Sequence, residues 1–210
     1  MVETLVTEPY SDPRQQHDAA MMGMYIFLGN EVMLFGGLFA VALYTRLVHT
    51  KEAVAASRAL HYGIGGTNTA ILLTSSLCIA LAVEAGRQGE RKLAIRWLIG
   101  AIVLGLGFLS LKGYEYLEEF QEGLMPFTGF DTAIKTPVQH LYMDLYLIAT
   151  GLHALHMVIG VGLLAYLVIG LSKRWIVVPE RAITLIVVGL YWHFVDAIWV
   201  FLYPVLYLAR

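Results

Sequence analysis

The sequence has few charged residues and a single cysteine, and both shortages narrow the classes of protein it can encode. Charged residues make up 14% of its 210 residues, against roughly 25% in an average soluble protein. Hydrophobic residues reach 58%, where roughly 45–50% is usual, so the composition is that of an integral membrane protein. One cysteine, Cys78, excludes a disulfide framework and a cysteine-based metal site. A net charge of −2 gives no reason to expect a nucleic-acid partner.

The first 21 residues also lack the pattern of a cleavable secretory signal. They contain four acidic residues and only one basic residue, Arg14, whereas a signal begins with basic residues before a short apolar core. We therefore expect residues 1–21 to form a polar segment, and the first hydrophobic helix to direct insertion into the membrane.

Five stretches are long and apolar enough to cross a bilayer, which takes about 20 apolar residues per helix. The predicted spanning helices cover residues 22–48, 67–83, 93–116, 141–171 and 183–208. Their connections are short and polar, except for an acidic, proline-containing loop between the third and fourth helices. The sequence has no strand-like alternation and no repeat. It therefore predicts one all-α membrane domain over residues 22–210, a bundle of five transmembrane helices.

The basic residues favour one orientation of this bundle. Eight Lys and Arg residues fall on the N-terminal side of the predicted membrane and six on the opposite side. Since basic loops stay in the cytoplasm, we expect a cytoplasmic N-terminus and an extracytoplasmic C-terminus. Arg46 and Arg96 flank helices, where long basic side chains reach lipid headgroups, and we expect them and Trp199 to contact lipid.

Asn30 and Glu31 are polar residues in the first predicted helix, and we predict that both are buried groups with structural or proton-linked roles. Glu31 lies about nine residues from its start, which places it roughly 14 Å deep, near the bilayer midplane. A charge at that depth costs from about 3 to more than 10 kcal/mol, so it persists only where something pairs or uses it. Two interpretations stay open: a proton-active carboxyl group, or a structural one that is hydrogen-bonded to another helix.

Two further helices contain polar pairs at similar depth. His153 and His156 are three residues apart and share one helix face, and His193 and Asp196 have the same spacing on the last helix. We predict that all four are buried groups with structural or proton-linked roles, and that His193 pairs with Asp196. Two histidines on one face are also compatible with a metal or haem site, but we favour hydrogen bonds between helices.

Four motifs on successive membrane helices resemble the subunit III family of the haem–copper terminal oxidases, also called cytochrome c oxidase subunit III. They read MYIFLGNEVMLF at 24–35, NTAILLTSS at 68–76, ATGLHALHMVIG at 149–160 and YWHFVDAIWVFL at 191–202. Asn30 stands where serine is more usual in the family. The resemblance covers nearly all of the chain from Met22 onward. Longer members have seven helices, so this chain resembles the short five-helix bacterial form.

The resemblance implies a non-catalytic subunit with no redox centre and no cofactor of its own. Such a subunit packs beside subunit I, which holds the haems and copper, in a complex that also contains subunit II and other subunits. The complex reduces oxygen, pumps protons and lies in the bacterial inner (plasma) membrane. Subunit III is thought to support the stability of subunit I and its uptake of protons, and it binds phospholipid. Glu31, the two histidine residues of the fourth helix and the last-helix pair match the family's motif positions.

Other functions remain open. The subunit III-like protein of a quinol oxidase or a nitric oxide reductase system would have the same fold. A small transporter could use the carboxyl groups at the midplane, but it would need discontinuous helices or inverted repeats, and the sequence has neither. A membrane subunit that ligates haem through its histidines is a third class.

Overall fold

The structure is a computed structural model that describes residues 12–58, 62–121, 136–179 and 182–208. Parts of two predicted segments lie outside the described residues. These are residues 1–11 of the polar N-terminal segment and residues 122–135 of the acidic loop.

The described residues form six α-helices and contain no strand. The helices are α1 (Pro13–Val48), α2 (Thr50–Arg58), α3 (Tyr62–Arg87), α4 (Arg91–Gln121), α5 (Pro137–Ser172) and α6 (Ala182–Tyr207). All except α2 are long and apolar enough to span a membrane, which confirms the predicted all-α bundle of five transmembrane helices. The short amphipathic helix α2 was not predicted, because its nine residues are too few to be recognised as a membrane-spanning stretch.

Most of the spanning helices extend beyond their predicted ends. The largest difference is at α1, which begins at Pro13 and not at Met22, so part of the predicted polar segment is helical. The apolar stretch marks only the part of a helix that suits the bilayer interior. Helical turns continue past it wherever polar residues can cap them in the aqueous phase.

Capping residues explain where two of the helices begin. Asp12 precedes α1, and its side chain accepts a hydrogen bond from the backbone N–H of Arg14 at 3.0 Å. Thr136 precedes α5 and forms a reciprocal capping box with Gln139. Each cap is followed by a proline in the first helical turn, where its missing N–H does no harm.

The core of the bundle is a diamond of four helices. Both α4 and α6 pack against α3 and α5, but they lie diagonally opposite and their backbones do not meet. Large side chains such as Phe108, Trp192 and Trp199 fill the space between them, and all three are fully buried. Helix α1 packs on the outside of α5 and α6 and leaves many apolar side chains exposed, including Met33 and Leu47. An apolar outer surface is what a lipid environment requires.

Trp192 fits into the core because glycines stand on both helices that it faces. A Cβ atom added to Gly105 of α4 would lie 2.8 Å from the rim of the Trp192 indole, and one added to Gly160 of α5 would lie 3.0 Å from it. The indole is rigid and enclosed, so it cannot move aside at low cost.

We predict that Gly105→Ala lowers the stability of the bundle by about 1–3 kcal/mol, because its methyl group overlaps the indole. Gly107→Ala, two residues along the same helix, is the matched control, since an added Cβ there meets nothing within 4 Å. The control variant should be unchanged or slightly more stable. Thermal unfolding of the purified protein, followed by circular dichroism, measures both. Equal melting temperatures for the two variants would contradict the packing.

Candidate functional site

Glu31 of α1 and His156 of α5 form an ion-pair contact between these two helices. Their Oε2 and Nε2 atoms are 3.1 Å apart, and both side chains are largely buried. This is ion-pair distance, although the contact does not have hydrogen-bond geometry. The contact joins the outer helix α1 to the core.

The hydrogen bond of the other ring nitrogen, Nδ1, shows which nitrogen of His156 is protonated. Nδ1 lies 2.8 Å from the backbone oxygen of Leu152. Because a carbonyl oxygen can only accept, Nδ1 must be the protonated nitrogen. Nε2 is therefore the nitrogen that faces the Glu31 carboxyl group.

Aromatic side chains enclose the pair. The ring of Phe35 meets the His156 ring edge-on, with centroids 5.6 Å apart. The hydroxyl group of Tyr191 donates a hydrogen bond to the backbone oxygen of His156 at 3.0 Å. These contacts fix the orientation of the imidazole against α1.

His153, one turn away on α5, is fully buried and neither of its ring nitrogens bonds to a described residue. The ring lies between Phe108 of α4, at 5.5 Å, and Trp199 of α6, at 5.1 Å. A buried imidazole without a partner among the described residues is unusual in a folded protein.

The predicted pair of His193 and Asp196 is wrong. His193 Nδ1 instead lies 2.6 Å from the hydroxyl oxygen of Ser76 on α3. Asp196 is buried, but neither of its carboxylate oxygens makes a hydrogen bond with a described residue. The prediction failed because it paired residues along one helix, whereas the His193 ring turns towards Ser76 of α3.

Two other predicted positions also differ. Asn30, predicted as buried, lies on the exposed side of α1, because the next residue along a helix is rotated by about 100° and only Glu31 faces α5. Trp199, predicted as a lipid contact, is fully buried, and its Nε1 donates to the hydroxyl oxygen of Thr69 at 3.1 Å. Arg46 is half-buried in the last turn of α1 and Arg96 is exposed near the start of α4. Their contact with lipid stays a prediction.

The structure also contains a buried ionic cluster that sequence reasoning missed. Lys112 Nζ donates to Glu115 Oε2 at 2.8 Å, to the hydroxyl oxygen of Tyr146 at 2.9 Å, and to that of Tyr207. Tyr207 donates in turn to Glu115 Oε1 at 2.8 Å, and Tyr146 donates to Glu119 Oε1 at 2.6 Å. Lys112 and Glu115 are three residues apart, the spacing of an ordinary ion pair on a helix surface, but both side chains are fully buried.

Four aromatic rings surround the ammonium group of Lys112. The rings of Tyr116, Tyr146, Trp199 and Tyr207 have their centroids 4.8–5.4 Å from Nζ. The negative faces of such rings attract a cation, most strongly where water is excluded. The cluster therefore ties α4 to α5 and α6 by hydrogen bonds and by cation–π contacts at once. Residues 112, 115 and 119 share one helix face, which is the sequence signal that could have revealed it.

No three His, Cys, Asp or Glu side chains in the described part of the chain converge in a way that could hold a metal ion. His153 and His156 share a face of α5, but the first faces the core aromatic rings and the second faces Glu31.

We predict that Lys112→Met lowers stability by about 3–5 kcal/mol, because it leaves the Glu115 carboxylate buried without its cation. Adding Glu115→Gln to that variant should recover part of the loss. Lys92→Met is the control, since Lys92 is exposed at the start of α4. Thermal unfolding of the purified variants makes the comparison, and a Lys112 variant no less stable than the Lys92 variant would refute the cluster's role.

Comparison with known proteins agrees with this fold. The family model described as cytochrome c oxidase subunit III matches residues 14–209. The probable cytochrome c oxidase subunit 3 of Nocardia farcinica is 31% identical over 189 residues, which cover 90% of this chain and 87% of the relative. The quinol oxidase subunit 3 of Bacillus subtilis is 29% identical, covering 90% and 86% of the two chains.

A third relative is a fusion protein. The haem–copper oxidase subunit I+III of Aeropyrum pernix is 28% identical over 197 residues, which cover 91% of this chain and 23% of that longer protein. The family match covers nearly the whole chain, and the five spanning helices fit it. The chain therefore belongs to the subunit III family of haem–copper oxidases and is a multi-pass membrane subunit of such an oxidase complex.

Proposed function

We propose that this chain packs beside the haem- and copper-bearing subunit I of a respiratory oxidase, stabilises it and supports its uptake of protons. The observation that carries the proposal is the Glu31–His156 pair. It is largely buried, lies on two membrane-spanning helices at ion-pair distance, and joins the outermost helix to the core. Haem and copper belong to subunit I in this proposal, and this chain supplies no redox centre.

Buried polar contacts give the chain the rigidity that a bracing subunit needs. Glu31 and His156 join α1 to α5, and Ser76 and His193 join α3 to α6. The Lys112 cluster joins α4 to α5 and α6. Polar contacts between helices resist separation in lipid, where released groups find no water. We propose a structural role for His193 and Asp196, and a proton-linked role for Glu31 with His156.

The fusion relative supports the choice of subunit I as the main partner. In Aeropyrum pernix the two subunits are named as parts of one chain, so they occur there in equal number. Contacts with subunit II and other subunits, and with bound phospholipid at Arg46 and Arg96, complete the proposed assembly.

The electron donor of the complex is cytochrome c or a quinol. Relatives of both kinds match this chain at nearly the same identity and over nearly the same length. Neither kind of donor needs a site on this chain, so both fit the same structure. We place the complex in the bacterial plasma membrane, with the N-terminus of this chain in the cytoplasm, on the distribution of its basic residues.

Affinity purification of the tagged chain from its native membranes in mild detergent tests the assembly. We expect a large haem-bearing subunit to be retained, with a haem spectrum from the complex and none from this chain once it is separated. Mass spectrometry identifies the retained proteins. Recovery of the chain without any haem protein would overturn the proposal.

Replacing Glu31 separates its structural role from its proton-linked role. The amide of Glu31→Gln can donate to His156 Nε2, so we expect this variant to stay in the complex. Glu31→Leu leaves that nitrogen without a partner, at a cost of about 1–3 kcal/mol, and should be retained less well. Proton uptake by the complex containing Glu31→Gln should be slower than wild type at equal subunit content, as followed by a pH-indicator dye. Unchanged proton uptake would show that Glu31 has only a structural role.

A further inference from the structure

A groove runs along the outer face of α6, between α1 and α3. Both of these helices pack against α6, but their own backbones do not meet. On the α3 side of the groove His193 contacts Ser76, and on the α1 side the Phe201 ring meets the Phe39 ring, with centroids 6.5 Å apart. Ala197 lies between them along α6 and is exposed. We call this surface the α6 groove.

The α6 groove contains a polar group near the middle of the membrane. His193 is half-buried, and it lies eleven residues after Ala182, where α6 begins, and fourteen before Tyr207, where it ends. At 1.5 Å per residue it is roughly 16 Å from one end of the helix and about 21 Å from the other. The acyl chains at that depth offer no hydrogen bond to an imidazole.

The hydrogen bonds of His193 are incomplete among the described residues. Nδ1 lies 2.6 Å from the hydroxyl oxygen of Ser76, and Nε2 bonds to no described residue. In a neutral imidazole one nitrogen donates and the other accepts. If Nδ1 donates to Ser76, Nε2 is an acceptor without a donor. If Ser76 donates to Nδ1, Nε2 carries the hydrogen and lacks an acceptor.

Asp196 adds to this shortage. Its side chain is 3% exposed, and neither carboxylate oxygen makes a hydrogen bond with a described residue. Ser76 is close to this carboxyl group as well as to His193, but its single hydroxyl hydrogen serves one acceptor at a time. Whichever way the hydrogens of Ser76 and His193 are arranged, one acceptor on α6 therefore needs a donor from a neighbouring molecule.

We propose that the α6 groove seats a transmembrane helix of subunit I, and that this helix presents a hydroxyl or amide side chain to His193. Such a side chain both donates and accepts, so it completes the hydrogen bonds of either form of the ring. The small side chain of Ala197 lets the backbone of the incoming helix approach closely. The inference rests on the proposed function and deepens it, because it names the surface that contacts subunit I.

The unmet hydrogen bonds favour subunit I over the other molecules that could lie in the groove. A lipid tail would leave Nε2 of His193 unpaired at the midplane. A second copy of this chain would bring another Asp196 with the same lack of a donor. Subunit I is also the protein that is named together with subunit III in the single chain from Aeropyrum pernix.

Photo-cross-linking in native membranes tests the contact. A photoreactive amino acid is placed at position 197 of the tagged chain, the membranes are illuminated, and mass spectrometry identifies what is joined to it. Position 103 is the matched control, because Val103 is 62% exposed on α4, which lies diagonally opposite α6. We expect a covalent product with subunit I from position 197 and none from position 103.

Filling the groove gives a second readout. Ala197→Trp places an indole where the incoming helix would lie, and we expect at least about tenfold less subunit I to be retained per chain in mild detergent. Val103→Trp should retain as much as wild type. Thermal unfolding of the separated chains shows whether the two variants are equally stable, since both side chains are on the outer surface. His193→Gln, which keeps a donor and an acceptor, should retain more subunit I than His193→Leu.

The outcomes separate the groove from the proposed function. A product from position 197 with lipid alone, with a second copy or with another subunit would overturn the groove as the seat of subunit I. A product with subunit I from position 103 and none from position 197 would do the same. If the haem-bearing subunit still co-purifies in these cases, the proposed function stands. Loss of that subunit from the wild-type chain would contradict the proposed function first, and this inference with it.

Discussion

An ammonium group inside a membrane must find all of its hydrogen-bond acceptors within the protein, and Lys112 does so with oxygens from three helices. No water competes for these contacts, so each of them resists the separation of α4, α5 and α6. The same constraint applies to every polar side chain in the bundle. It explains why Ser76 faces His193 and why Thr69 faces Trp199 across helix boundaries.

The constraint has a second consequence at α1, the least buried of the spanning helices. It packs on α6 and, less extensively, on α5, and Glu31 adds a polar contact with α5 to this apolar packing. Nδ1 of His156 donates to a backbone oxygen, so Nε2 is the nitrogen that faces the Glu31 carboxyl group. This contact helps to fix how α1 is rotated against α5.

Much of the fold can be predicted from the sequence, because hydrophobic length alone distinguishes a spanning helix from other structure. The depth of Glu31, His153 and His156 follows from the same counting. Partners across helices cannot be predicted in this way, since they depend on how each helix is rotated about its axis. His193 was assigned to Asp196 for this reason, although Ser76 is its partner.

Burial is just as hard to predict near a helix end. Lys112 and Glu115 have the spacing of an ordinary surface ion pair, and only the neighbouring Tyr146 and Tyr207 show that they are enclosed. Conversely, Asn30 lies within an apolar stretch of the sequence, which predicts burial, but its side chain is on the exposed side of α1.

The measurement that tests the central claim most directly is nitrogen magnetic resonance of the assembled oxidase with labelled histidine, in which His156→Gln assigns the signals. The account predicts a protonated Nδ1 in His156, and an Nε2 resonance that moves when Glu31 is replaced by Gln. A neutral His156 with a bare Nδ1, and an Nε2 resonance indifferent to Glu31, would contradict it.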